Sequence, residues 1–370
     1  MNLNPSYRYV ALDVFRGLTI CLMILVNAQG DHQYTYALLR HADWNGFTPA
    51  DWVFPSFLFA VGNALCFAVK KWETMPQPQV LAKIFKRSGL LFLLGFLLYW
   101  FPFVTFWSGG HIALKPFSET RVMGVLQRIA LCYCLAALLV YYLKDKGAFI
   151  VSAIILIAYH FILLWFGEPG NELSMTGNAG TRLDLWLLGA NHMSHGEVVP
   201  FEPEGLLSTL PAIANVVAGY LVGRYIQQAG KTVKMLVRLL MTGGGLIVLA
   251  LCWNISFPIN RNLWSSSFVL LTVGLDLIIL AAIIYVIDFR RITRFSYFFE
   301  VFGKNALFIY LLSEMAAILM RGVHIYGFIY DHIFKFTGMY FGSLLFSGWF
   351  MFMCWLAGWW LNKRKIYIRV

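Results

Sequence analysis

Between residues 13 and 51 the chain carries an Asp-x-x-Arg pair, Asp13 and Arg16, then Asn27, His41, Asp43 and Asp51, an assortment able to move protons and hold anions. His41 is the sharpest of these. An imidazole can accept and return a proton near neutral pH, and a carboxylate such as Asp43 or Asp51 can fix its tautomer. An ordinary solvent-exposed loop histidine is the alternative reading. The residues alone leave both open.

These residues sit around two apolar runs, so the elements that position them must be membrane helices. Asp13 and Arg16 lie three residues apart on the first run and can pair, as ionisable groups in hydrocarbon generally do. That pair could simply hold a bundle together, or it could begin a polar path. Asn27 follows Arg16 by eleven residues, which places it on the same helical stripe about 16 Å further along.

With 59% hydrophobic and 13% charged residues, and a mean hydropathy of +0.68, the chain lies far outside the soluble range. Apolar runs able to cross roughly 30 Å of hydrocarbon fall at residues 10–29, 52–69, 88–107, 122–143, 148–166, 206–226, 235–253, 265–287, 297–320 and 340–361. The reading is an all-α, polytopic transmembrane helix bundle of about ten spans, with residues 1–370 forming a single domain.

The net charge of +11 raises nucleic acid as a partner, and the placement of the basic residues removes that need. Nineteen lysines and arginines fall on the side holding the termini, from Arg8 through the Lys83, Lys144, Arg224 and Arg290 segments to Arg369. The other side has Arg40, Lys115, Arg121, Arg182, Arg261, Arg321 and Lys335. The positive-inside rule then puts both termini in the cytoplasm. Asp13 and Arg16 interrupt the first run, so it is expected to remain as a span rather than be cleaved as a signal.

Arg16, Gln127, Arg128, Lys304 and Asn305 are too many donors in apolar runs for packing alone, and such donors suit an anionic ligand entering from the cytoplasm. Glu300 can pair with Lys304 four residues on. Asp276 lies near mid-span and Glu314 in the ninth run. The loop 167–205, the longest, is rich in Gly, Asn and Pro and ends in Phe201-Glu-Pro-Glu-Gly205, which suggests an ordered rim, while Gly109, Gly110 and His111 mark the external loop before it. Metal binding is not expected: His192 and His195 lack further ligands, and the six cysteines fall in apolar runs as packing residues. Phosphate-loop, dinucleotide, serine-elbow and His-Glu-x-x-His motifs are absent.

The motifs Leu12-Asp13-Val-Phe-Arg16-Gly17, Val26-Asn27, His41-Ala-Asp-Trp-Asn-Gly46, Ala50-Asp51 and Phe54-Pro55 resemble the membrane acetyltransferases of the heparan-alpha-glucosaminide N-acetyltransferase type. The likeness continues through Gly124-Val-Leu-Gln-Arg-Ile-Ala130, Pro203-Glu-Gly205, Leu263-Trp-Ser-Ser-Ser-Phe268 and Phe302-Gly-Lys-Asn-Ala306, and is nearest to short bacterial members. The extra luminal domain and first span of the lysosomal members are expected to be lacking.

The resemblance implies acetyl transfer across a bacterial inner membrane, from cytoplasmic acetyl-CoA to the amine of an amino sugar at the periplasmic face. It identifies His41 with the family's active histidine, and Asn27 and Asp51 with its polar neighbours. His41 would act as base and Asn27 would donate to the thioester oxygen; the acetyl group would pass directly in a ternary complex, the favoured reading, or rest first on His41. Arg16 and Lys304, with Asp13, Gln127 and Arg128, would serve acetyl-CoA. A homodimer is implied only by that likeness. An amino-sugar transporter using the same polar path is the alternative.

Overall fold

A computed structural model describes residues 10–106, 112–194 and 199–368. Arg8, Gly109, Gly110, His111, His195 and Arg369 lie outside them. Twelve helices occur among the described residues: α1 Val10–Asn27, α2 Pro49–Trp72, α3 Gln77–Trp100, α4 Val125–Phe166, α5 Ala179–Leu187, α6 Thr209–Ala229, α7 Val233–Trp253, α8 Ser266–Ile284, α9 Ser296–Lys304, α10 Ala306–Gly322, α11 Ile325–Ile329 and α12 Met339–Lys363. A short antiparallel pair, β1 Val104–Phe106 with β2 Ile112–Leu114, is the only sheet among the described residues.

Helix occurs at each of the ten apolar runs, but not as ten separate straight rods. Among the described residues, six helices are long and apolar enough to cross a membrane, or seven if the bent pair α9–α10 forms one span. The fourth and fifth runs are one 42-residue helix broken at Lys144, whose φ of 57° and ψ of −168° leave the helical region. The expected connector is thus reduced to a single residue. The ninth run is not straight either: α9 and α10 meet at Asn305 with a bend of 81°. Asn305 closes this corner by bonding the chain end, with Nδ2 donating to the Ile366 carbonyl at 3.1 Å and Oδ1 accepting from Ile368 N–H at 3.0 Å.

Two glycine crossings set how closely the helices approach. A Cβ at Gly17 would collide with the Phe299 carbonyl, and one at Gly303 with the Asp13 carbonyl, so α1 and α9 touch backbone to backbone. The same reciprocal arrangement joins α2 and α6, where Gly62 meets the Val216 carbonyl and Gly219 that of Phe59. Small residues permit such contact where no hydrophobic force between spans can drive it. This explains two of the glycine-containing motifs, Arg16-Gly17 and Phe302-Gly303, as one packing device.

Asp276 of α8 ties the centre together. Fully buried, it accepts from Trp52 Nε1 at 2.8 Å and Ser56 Oγ at 2.6 Å, both on α2. With α2 fixed against α6 and α8, its N-terminus becomes a rigid mount for the loop that precedes it.

Candidate active site

The site begins with the helix start at Thr48-Pro49-Ala-Asp51. A carboxylate in the first turn of a helix is favoured by the unpaired N–H groups and the dipole there. Asp51 reaches back so that one oxygen, Oδ2, accepts from Thr48 N–H at 2.9 Å, Thr48 Oγ1 at 3.1 Å and Ala42 N–H at 3.2 Å. Its other oxygen, Oδ1, lies 2.8 Å from His41 Nδ1. An ionised carboxylate can only accept, so Nδ1 carries the proton and Nε2 keeps a lone pair.

Burial differs across this pair in the way a base requires. The Asp51 side chain is 0% exposed, whereas that of His41 is 36% exposed. Burial lowers the His41 pKa below its ordinary value, and the nearby Arg261 adds to this, while Asp51 opposes both. The imidazole is therefore neutral at pH 7 and able to take a proton. Asp43, the other aspartate that could have oriented the ring, is exposed and makes no hydrogen bond to it.

Neighbouring loops pin the His41 segment on both sides. Gly46, at φ 119°, turns the chain so that its N–H donates to the Ile259 carbonyl at 2.8 Å. Asn260 Nδ2 donates to Asn45 Oδ1 at 3.2 Å. Trp44 Nε1 donates to the Leu173 carbonyl at 3.0 Å, and its ring meets Phe201 edge-on at 5.5 Å. The long loop is thus a built rim among its described residues.

That rim contains a buried charge cluster. Arg121 binds both oxygens of Glu202, and its Nη2 lies 2.5 Å from Glu204 Oε2. Burial pushes Glu202 up to about 7. Burial also acts against ionisation of Glu204, but Arg121, Arg128 and Arg261 outweigh it and hold that carboxyl below its usual range. The acidic pair was visible in the sequence. Arg121 and Arg261 stand in the sequence only as loop charges, because loop-to-loop pairing leaves no local spacing to find.

The donors expected to form one anion site are divided between the two ends of the bundle. Gln127 and Arg128 belong to the first turn of α4, which starts at the His41 end. Arg128 is fully buried: Nη2 donates to the Pro203 carbonyl at 3.0 Å, the Gly205 carbonyl at 3.3 Å and Ser208 Oγ, and the guanidinium stacks 4.7 Å from the Trp264 ring. Arg128 thus braces the Pro203-Glu-Gly205 turn. Gln127 is buried with no hydrogen-bond partner among the described residues. Neither faces the Arg16 and Lys304 cluster with which the sequence grouped them.

At the opposite end, Arg16 Nε donates to the Gly303 carbonyl at 2.8 Å and Nη2 to Asp13 Oδ1 at 2.8 Å. Arg16 therefore caps the C-terminus of α9, where unpaired carbonyls favour a cation. Lys304 lies 3.2 Å from Glu300, so this end is largely charge-matched. At the far end of the first half of α4, a cavity of about 540 Å³ opens beside the break in that helix, lined in part by Trp72, Lys144, Asp145, Lys146, Tyr220 and Arg224. Asp145 pairs with Arg224 at 2.8 Å, and Lys144 and Lys146 form no ion pair among the described residues.

Asn27 is not bonded to His41 or Asp51. Its Nδ2 donates to Glu314 Oε1 at 3.3 Å, beside a small cavity of about 20 Å³. His192 bonds the Thr120 carbonyl at 2.8 Å, and no group of three or more possible metal ligands occurs among the described residues.

Comparison with known proteins places this geometry in context. The family model described as heparan-alpha-glucosaminide N-acetyltransferase, catalytic, matches residues 8–250. The heparan-alpha-glucosaminide N-acetyltransferases of Mus musculus and Homo sapiens are each 28% identical to the chain, over 84% and 85% of it. Those alignments take in 54% and 53% of the two proteins, so the chain spans about half the length of the curated relatives it matches.

Proposed function

Because the chain belongs to the heparan-alpha-glucosaminide N-acetyltransferase catalytic family, we propose that it is a membrane N-acetyltransferase that moves an acetyl group from acetyl-CoA to the amine of an amino sugar. The observation that carries this is the His41–Asp51 pair, which lies within the matched segment and leaves one imidazole nitrogen open as a base.

The chemistry follows from that pair. An amine attacking a thioester carbonyl gains positive charge and must lose a proton. His41 Nε2 takes it, and Asp51 stabilises the imidazolium through Nδ1. The carbonyl electrons move to oxygen, then return as the C–S bond breaks, and His41 gives its proton to the departing thiolate. The products are the N-acetylated sugar and CoA. Direct transfer within a ternary complex needs only this one base.

The orientation proposed is ten spans with both termini in the cytoplasm of a bacterial inner membrane, so that the His41 loops face the periplasm. Acetyl-CoA then approaches from the end that holds Arg16 and Lys304, the end at which Lys144 and Lys146 line the cavity beside the α4 break, and its pantetheine arm runs along the stripe from Arg16 to Asn27. Gln127 and Arg128 support the acceptor end instead. Homodimerisation remains part of the proposal through the family likeness alone.

The test uses protein purified into nanodiscs, with radiolabelled acetyl-CoA, glucosamine as acceptor, and wild type beside His41→Ala. Label in N-acetylated sugar, lost in the variant, is the expected outcome. Wild type that neither binds acetyl-CoA nor transfers label to any amino sugar overturns the reading and directs attention to sugar uptake.

A further inference from the structure

Direct acetyl transfer requires a second group beside the base, a donor for the oxygen that becomes negative as the amine attacks. Asn27 Nδ2 donates to Glu314 rather than to His41 or Asp51. The loop Asn254–Ser265, however, delivers a cation to the His41–Asp51 pair. Arg261 Nε lies 3.9 Å from Asp51 Oδ1, the same oxygen that accepts from His41 Nδ1. Guanidinium and imidazole therefore stand side by side against one carboxylate oxygen.

Arg261 is not needed to satisfy Asp51. That carboxylate already accepts four hydrogen bonds, three on Oδ2 and one on Oδ1. The 3.9 Å separation is too long for a fifth, and the Arg261 side chain donates no hydrogen bond among the described residues. It is 21% exposed, enough to meet a substrate and too little to be a freely solvated surface group. Its charge lowers the pKa of both His41 and Glu204, so it is close enough to act on the base and on the acidic rim alike.

The backbone around Arg261 is held from both directions. Ile259 accepts from Gly46 N–H, and Asn260 bonds Asn45, so the two residues before Arg261 are fastened to the His41 loop itself. Asn260 Oδ1 accepts from Leu263 N–H at 2.7 Å, and Asn260 N–H donates to Ser265 Oγ at 3.0 Å, closing the turn beyond it. Such fastening fixes a donor before the reaction begins, which is the condition under which a donor stabilises a transition state effectively.

We infer that Arg261 is a catalytic residue of this acetyl transfer: its guanidinium donates to the thioester carbonyl oxygen as it becomes the tetrahedral oxyanion beside His41. This role rests on the proposed acetyltransferase reading. As the amine nitrogen bonds to the carbonyl carbon, the C=O pair moves to oxygen under the guanidinium. When that pair returns, the C–S bond breaks, and the thiolate takes the proton His41 had removed from the amine.

The experiment compares wild type, Arg261→Met and Arg261→Lys in nanodiscs, measuring kcat and both KM values with acetyl-CoA and glucosamine, plus acetyl-CoA binding. Arg261→Met is expected to lose about 100-fold or more in kcat, with each KM within about threefold of wild type. Millimolar guanidinium should restore part of the lost kcat, and acetyl-CoA binding should persist. Unchanged kcat, or a raised acceptor KM at wild-type kcat, overturns the assignment, the latter by making Arg261 an acceptor anchor. Lysine keeps the charge and loses the fork, so kcat is expected to fall about tenfold; should the methionine variant not fold, wild-type kcat in the lysine variant overturns the role. Absence of transfer by wild type overturns the reaction itself, which separates the two failures.

Discussion

The two ends of α1 show opposite uses of the same residue types. At the loop end, backbone N–H groups and a hydroxyl satisfy Asp51, so that His41 Nε2 and the Arg261 guanidinium are left for something else. At the other end, Arg16 is bound to Asp13 and to a helix terminus, and Lys304 to Glu300. Reactive groups are those whose partners hold them without using them up. Arg16 and Lys304 hold the corner where α1 crosses the bent α9–α10 pair, and can serve a ligand only while retaining those bonds.

Substitution at His41 should break the comparison most severely. Loss of a positioned general base costs about 10²- to 10⁴-fold in kcat, and His41→Gln is expected in that range with acetyl-CoA binding retained. A variant with more than half of wild-type turnover would show that the loop end does not carry the chemistry. Next comes the contrast between the two aspartates. Asp51→Asn should lose about 100-fold or more, because an amide can present N–H to Nδ1 and invert the tautomer, whereas exposed Asp43→Asn should change turnover by less than about twofold. Equal losses in the two variants, measured in one assay, would remove Asp51 from its role.

The opposite end is sharpened by affinity rather than rate. Lys144 and Lys146 line the cavity beside the α4 break without ion pairs among the described residues, so their cations are open to an anion. The double change Lys144→Ala and Lys146→Ala is expected to raise KM for acetyl-CoA about tenfold, with kcat unchanged. Arg16→Ala should instead lower the thermal midpoint, since it uncaps α9. If Arg16→Ala raises that KM at an unaltered midpoint, while the lysine pair does nothing, phosphate binding belongs to Arg16 and the cap is incidental.

His41 and Asp51 were legible in the sequence because their partnership is nearly local: one short loop entering one helix start, with turn residues Asn45-Gly46 between them. Asp13 and Arg16 were legible for the same reason, being three residues apart on one helix. Arg261 was not, since it reaches the site through a loop more than two hundred residues away. Gln127 and Arg128 were grouped with Arg16 and Lys304 because residue type reveals a cation in an apolar run but not which end's loops it braces. The helical character of the ten runs was plain from composition. The corner at Asn305 was not, because its cause is a bond to the chain end at 366–368, invisible to any local pattern.

The smallest expected effect is the titration of His41, and it tests the balance of charges at the loop end directly. Burial and Arg261 lower its pKa from 6.5, and Asp51 works in the other direction. A lowered folded-state value means that the unfolded chain takes up this proton first as pH falls, so His41 costs no stability well above 6.5, a growing amount as pH falls from 6.5 to the folded-state value, and the full amount below that. Diethyl pyrocarbonate acylates neutral imidazole, and the half-exposed ring allows it access. Its rate at His41, followed by peptide mass spectrometry, should rise with pH through a midpoint below 6.5 in wild type. Asp51→Asn removes the hydrogen bond and charge that favour the imidazolium most, leaving Glu204 as the remaining favourable charge, so the midpoint falls further. Arg261→Met removes a cation opposing it, so the midpoint rises. Shifts of the same sign in the two variants would mean that aspartate and arginine do not flank the imidazole as separate charges, and the contrast between an open loop end and a matched opposite end would lose its electrostatic basis.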